Sequence, residues 1–120
     1  MGRFRESVKD GLIGLANVST FVEPVTDSKE DLRAAIIYDQ FINCWFFETP
    51  LAGEYPSELF VIFENAGLVP IIQSEDMGII STPFDFWGVN YRTRNLVRRE
   101  ESSILPAFPV IITRVISPPA

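Results

Sequence analysis

Three stretches place this 120-residue chain in the α/β class. Gly11 to Val18 is a short, mostly apolar run with glycines, the pattern of a strand buried on both faces in a parallel sheet. Ser28 to Phe46 has helical periodicity. Asp85 to Asn95 runs from an apolar approach through a glycine into alternating polar residues, as a strand ending at a functional rim does. Strand, helix and strand in that order make a βαβ unit with parallel strands.

The chain opens on a charged segment, Met1 to Asp10, that reads as the end of a helix. After the first strand, Ser19 to Pro24 is expected to leave the sheet as a loop. Ser28 is the expected N-cap of the long helix, with Glu30 and Asp31 in its positive first turn as a capping-box variant. Leu32, Ala35, Ile36, Asp39, Ile42, Asn43 and Phe46 follow helical spacing, and Asp39 and Asn43 are expected to face solvent or a neighbouring loop. Trp45, Phe46 and Phe47 make the helix end aromatic, and Thr49-Pro50 is expected to stop it.

Gly53 to Pro56 reads as a turn. Ser57 is expected to cap a second helix that ends at Asn65-Ala66-Gly67. Leu68 to Ser74 is an extended apolar loop, and Glu75 to Ile80 is one helical turn stopped before Pro83. In the strand from Phe84 to Thr93, Phe86, Gly88, Asn90 and Arg92 would share one face, with Asp85, Trp87, Val89 and Tyr91 on the other. Gly88 is expected to allow close approach of a neighbour. In a closed parallel barrel, Asn90 and Arg92 would stand at the C-terminal mouth, where active sites are built. Beyond Ile104, prolines flank the β-prone run Val110 to Ile116, expected to be an edge strand or a pairing arm.

Composition narrows the function. A net charge of -6 argues against nucleic acid as a partner, because phosphate binding needs clustered cations. The basic cluster Arg92, Arg94, Arg98 and Arg99 reads as a solvated strand end with nearby Glu100 and Glu101 as partners. Histidine is absent, which removes Ser-His-Asp and Cys-His catalysis and speaks against a catalytic zinc. The single cysteine, Cys44, cannot form an internal disulfide and fits a reducing, cytoplasmic setting. No signal peptide and no membrane-spanning run is evident, so no membrane partner is expected.

Asp85-Phe86-Trp87-Gly88-Val89-Asn90-Tyr91-Arg92-Thr93 resembles the family-1 glycoside hydrolase (β-glucosidase) segment Asp-Phe-(aromatic or aliphatic)-Gly-(Val or Leu)-Asn-Tyr-Tyr-(Thr or Ser). Collinear upstream stretches are similar too. These are Ile13 to Pro24, Asp31 to Phe46, Gly53 to Pro56, and Pro70-Ile71-Ile72 with Glu75-Asp76-Met77. The resemblance covers about residues 5–100 and leaves 104–120 as a divergent, proline-rich β arm of a single domain spanning 1–120.

The resemblance implies a partial (β/α)8 barrel, from the fifth strand to just past the sixth, and a retaining hydrolase acting on β-glucosides. Retention needs two carboxyl groups about 5 Å apart. The family carries them in Thr-(Phe or Leu)-Asn-Glu-Pro and Thr-Glu-Asn-Gly, and neither motif occurs here. Glu23-Pro24 follows the wrong strand to stand in for the first. The expectation is therefore no catalytic residue, no metal and no cofactor, with Asn90 and Arg92 as candidate substrate-binding residues for a small carbohydrate. Arg92 departs from the family pattern, which has a second Tyr supporting the nucleophile. Edges cut from a barrel expose unpaired backbone, so a homo-oligomer joined through its strand edges is expected. A sugar-binding or scaffold module that also uses Trp87 is the alternative, as is a hydrolase complemented by other chains.

Overall fold

The computed structural model describes residues 2–114, without the side chains of Arg92, Phe108 and 111–114. Its elements are α1 (Gly2–Ser7), β1 (Gly14–Pro24), α2 (Lys29–Asp39), a π-turn (Gln40–Cys44), α3 (Trp45–Ala52), α4 (Ser57–Asn65), α5 (Asp76–Ile80), β2 (Phe86–Arg99) and β3 (Ala107–Arg114). The sheet order is β1-β2-β3. β1 and β2 are parallel, from Gly14 opposite Phe86 to Pro24 opposite Val97, and the intervening helices make the expected βαβ unit. β3 runs antiparallel on the other side of β2. The α/β class therefore holds.

The molecule is a slab. Its extents are 51 × 48 × 16 Å and its radius of gyration is 17.2 Å, against about 14 Å for a compact domain of this length. α2 lies across all three strands. The core beneath it is small: Ala34 and Tyr38 of α2 meet Val97 of β2 and Ala107 of β3, with Val22, Ile42 and Leu105 at its margin.

β1 is half-exposed rather than buried on both faces, with Val18 62% and Phe21 47% accessible. The apolar run reads as a central strand, but in this sheet β1 is an edge. The strand also continues through Ser19 to Pro24, where a loop was expected, because Thr93 to Val97 of the longer β2 offers it a pairing partner.

Ser28 caps α2 by accepting from the backbone N–H of Asp31 at 3.1 Å. The capping box does not close on itself. Asp31 instead accepts from Thr26 Oγ1 and from the backbone N–H of Arg99 (2.8 Å), which ties the helix start to the end of β2. Pro50 lies inside α3 and does not end the helix. A helical proline leaves the carbonyl four residues back without a donor. Here that carbonyl, of Phe46, accepts from Asn17 Nδ2 of β1 at 3.1 Å. The helix stops at Gly53, whose φ of 72° is open to glycine.

α4 has Pro56, not Ser57, at its N-cap and no side-chain cap. It ends as expected: Gly67 N–H bonds Glu64 O at 3.0 Å and Leu68 N–H bonds Phe63 O at 2.8 Å, the paired bonds of a Schellman stop. The glycine that close strand approach demands is Gly14, where an added Cβ would lie 2.1 Å from Phe86 O. At Gly88 it would meet only ordinary contacts, from 3.4 Å outward. The β arm from Val110 pairs within the chain as far as Arg114, and Val115 and Ile116 lie outside the described residues. Pro109 sits where the β2–β3 register slips, a position that needs no ladder donor.

Candidate functional site

The candidate rim residues lie where β1 and β2 change register. Val18 lies opposite Asn90 and Ser19 opposite Tyr91, but Thr20 lies opposite Thr93. Arg92 is the extra residue, so the strand carries a bulge of the kind that re-aims side chains beside active sites. Asn90 is exposed, and its side chain makes no hydrogen bond among the described residues. The side chain of Arg92 lies outside them. Trp87 does not join a sugar-facing rim. It stacks on Phe47 of α3 at 4.9 Å and meets Phe84 edge-on, on the helix side of the sheet.

β1 is an edge strand, so part of its backbone faces away from the ladder. At Thr20 both groups are taken by one side chain. Asn43 Oδ1 accepts from Thr20 N–H at 2.9 Å, and Asn43 Nδ2 donates to Thr20 O at 2.6 Å. The other Nδ2 hydrogen goes to Asp39 Oδ1 at 2.7 Å. An amide offers one acceptor and two donor hydrogens, and all are used. Thr20 and Thr93 then touch through their hydroxyls at 3.3 Å. Asp39 and Asn43 therefore serve the sheet, where a stripe facing solvent or a neighbouring loop was expected. Their i, i+4 spacing was visible in the sequence, but the partner on β1 was not.

The carboxylates near this region hold structure together. Asp85 accepts from Ile13 N–H at 2.8 Å and pairs with Arg5 at 3.1 Å, and these contacts, the backbone bond foremost, keep its carboxyl below the usual range. Asp31 is lowered chiefly by its bond from Thr26 and next by that from Arg99 N–H. Glu100 is lowered chiefly by Ser102. These directions are opposite to that of a general acid primed for glycoside cleavage, whose pKa is raised. Glu23 at the end of β1 forms an ion pair with Arg94 Nε at 3.3 Å, without the alignment of a hydrogen bond. Burial, with the Asp39 charge next, pushes the Cys44 thiol up to about 12, so the proton stays on the sulfur that faces Asp39 Oδ2. A thiolate nucleophile is not available at neutral pH.

Among the described residues, no three His, Cys, Asp or Glu side chains gather as a cation would require, and no helix is long and apolar enough to cross a membrane. A groove of about 560 Å³ lies between α2 and the start of α4, with Leu32, Ile36, Asp39, Glu48 and Glu58 on its walls. Val22 and Pro24 of β1 also line it, and no β2 residue does among the described residues.

Comparison with known proteins agrees with this architecture. The model of glycosyl hydrolase family 1 matches residues 1–109. A 1,4-beta-D-glucan glucohydrolase of Thermotoga neapolitana is 39% identical over 101 residues, covering 83% of this chain and 23% of that protein. A beta-glucosidase from Exiguobacterium marinum superposes with a TM-score of 0.79 at 30% identity, over 90% of this chain and 25% of that one. The AHE enzyme from Alicyclobacillus herbarius superposes with a TM-score of 0.80 at 32% identity, over 88% and 24%. The chain thus spans about a quarter of the length of the relatives it matches.

Proposed function

The chain belongs to glycosyl hydrolase family 1, and from that premise we propose that these 120 residues form a two-strand sector of a β-glucosidase-like (β/α)8 barrel that carries part of the sugar-binding rim and none of the catalytic acids. The observation that carries the reading is the parallel β1–β2 pair with Asn90 and Arg92 at its bulge. Two strands of eight are the same quarter that the chain covers in its relatives. Asn90 would donate to or accept from sugar hydroxyls, and Arg92 would bring charge to a position where the family motif has a phenol.

Hydrolysis with retention needs two opposed carboxyl groups. Asp31 and Asp85 are committed to backbone and hydroxyl bonds, and Glu23 to Arg94. The 120 residues alone are therefore inactive in this reading. The test is turnover of a chromogenic β-glucoside by the purified chain. None is expected, and turnover that drops when Glu23 is changed to Gln would overturn the proposal. Calorimetry with glucose and cellobiose checks the rim: binding that is lost in Asn90→Ala supports it, and equal binding by both proteins removes Asn90 from it.

The unpaired edge of β1 and the exposed Leu12, Val18 and Phe21 favour a homo-oligomer. Light scattering should report a particle larger than one chain, and a stable monomer would refute this. A reducing, cytoplasmic compartment is the setting that the unpaired Cys44 suits.

A further inference from the structure

We infer that Asn43 is the positioning residue of the rim: its amide holds the one-residue slip between β1 and β2 and thereby sets the direction of the strand at Asn90 and Arg92. The inference rests on the rim reading above, but it concerns a residue of the helix layer rather than of the strand that carries Asn90 and Arg92.

Thr20 is the first residue of β1 after the slip, and its N–H and C=O are held by Asn43 at 2.9 and 2.6 Å. Backbone groups left empty at a buried position are unfavourable, and Thr20, beside the slip, is only 5% accessible. The π-turn Gln40–Cys44 carries Asn43, and local π geometry of this kind often accompanies a functional site. The amide is itself oriented by Asp39 Oδ1 at 2.7 Å, and Asp39 by the Cys44 thiol at 3.4 Å. From Thr20 the contact passes through its hydroxyl to Thr93, next to Arg92. The chain of bonds runs from helix to bulge, with every Asn43 amide group used.

An amide is required because the site asks for an acceptor toward Thr20 N–H and donors toward Thr20 O and Asp39. A carboxylate in its place would keep one oxygen toward Thr20 N–H but set the other against the Thr20 carbonyl and the Asp39 carboxylate, which pushes the side chain off Thr20. A protonated carboxyl would restore one donor. The groups facing the position are Asp39 and Thr20, with the Cys44 thiol next to Asp39 and Glu48 next to Cys44. The acid Asn43→Asp introduces, set against Asp39, will hold its proton above the ordinary carboxylate range.

The test is amide hydrogen exchange, read residue by residue on the 120-residue chain and two variants. In Asn43→Ala, exchange at Thr20 should quicken by about tenfold or more, with backbone shifts changing at Asn90 to Thr93 while Leu96 and Val97 keep their protection. In Asn43→Asp, protection at Thr20 should be lost at neutral pH and regained on acidification, a dependence that Asn43→Ala lacks. If Asn43→Ala loses protection everywhere, the acidified Asn43→Asp protein decides: recovery of Thr20 together with Asn90 to Thr93 supports the inference. Unchanged exchange at Thr20 in Asn43→Ala, or an Asn43→Asp protein without pH dependence, would overturn it. Failure of the wild-type chain to bind glucose or cellobiose would count against the rim as a sugar site and leave the exchange result standing.

Discussion

Removing one oxygen from Tyr38 should cost this fold more than its size suggests. The Tyr38 hydroxyl accepts from Asn95 Nδ2 at 2.9 Å. Both residues are buried, at 8% and 3% accessible, between α2 and β2 beside Val97. Asn95 Oδ1 already has no partner, so Tyr38→Phe leaves a whole amide buried and unsatisfied. A buried polar group stranded in this way costs about 1–3 kcal/mol. Taking about 2 kcal/mol, a domain of this length should lose roughly 8 °C in Tm. Converting both partners, in Tyr38→Phe with Asn95→Leu, removes the stranded amide and replaces it with an apolar side chain of similar volume. The double variant should therefore be more stable than Tyr38→Phe alone. Urea titration of the parent, Tyr38→Phe, Asn95→Leu and the double variant, followed by circular dichroism at fixed protein concentration because self-association would shift the midpoint, gives the four free energies of the cycle. A Tyr38→Phe protein as stable as the parent, or a double variant worse than the single by the full cost of losing Asn95, would refute the reasoning.

Gly14→Ala should destabilise by about 1–3 kcal/mol, since a backbone carbonyl at 2.1 Å cannot rotate away, whereas Gly88→Ala should change little; thermal melts in the opposite order would show the close approach has been misplaced. Asp85 is lowered from its ordinary 3.8 in the folded state, so its contribution is complete above that value and is lost as pH falls through the depressed folded value. Stability measured from pH 6 down to about 2 should fall less steeply in Asp85→Asn than in the parent, and parallel curves would remove Asp85 from the account. Cys44, with its thiol pushed up to about 12, should react with iodoacetamide at pH 7 far more slowly than a free cysteine does; alkylation at the rate of glutathione would contradict the burial and the Asp39 contact.

What could be read from residues alone was whatever is decided within a turn or two of chain. Ser28 caps α2 because a serine oxygen reaches an N–H three residues on. Gly67 stops α4 because glycine accepts φ 71° without strain. The apolar approach from Phe84 and the alternation after Gly88 mark β2, and collinear motifs identified the family without any coordinates. Pro50, Asp39, Asn43 and Arg92 were beyond that reach. Pro50 survives in a helix because Asn17, far back in the chain, donates to the carbonyl the proline cannot serve. Arg92 looked like one more alternating residue, and only the pairing of β2 with β1 makes it the extra one. Asn43 looked like part of a solvated stripe until Thr20 was brought against it. Local propensity is set by near neighbours and is written in the order of residues; register, edges and the pairing of distant polar groups depend on which strands end up side by side, and only the assembled structure decides that.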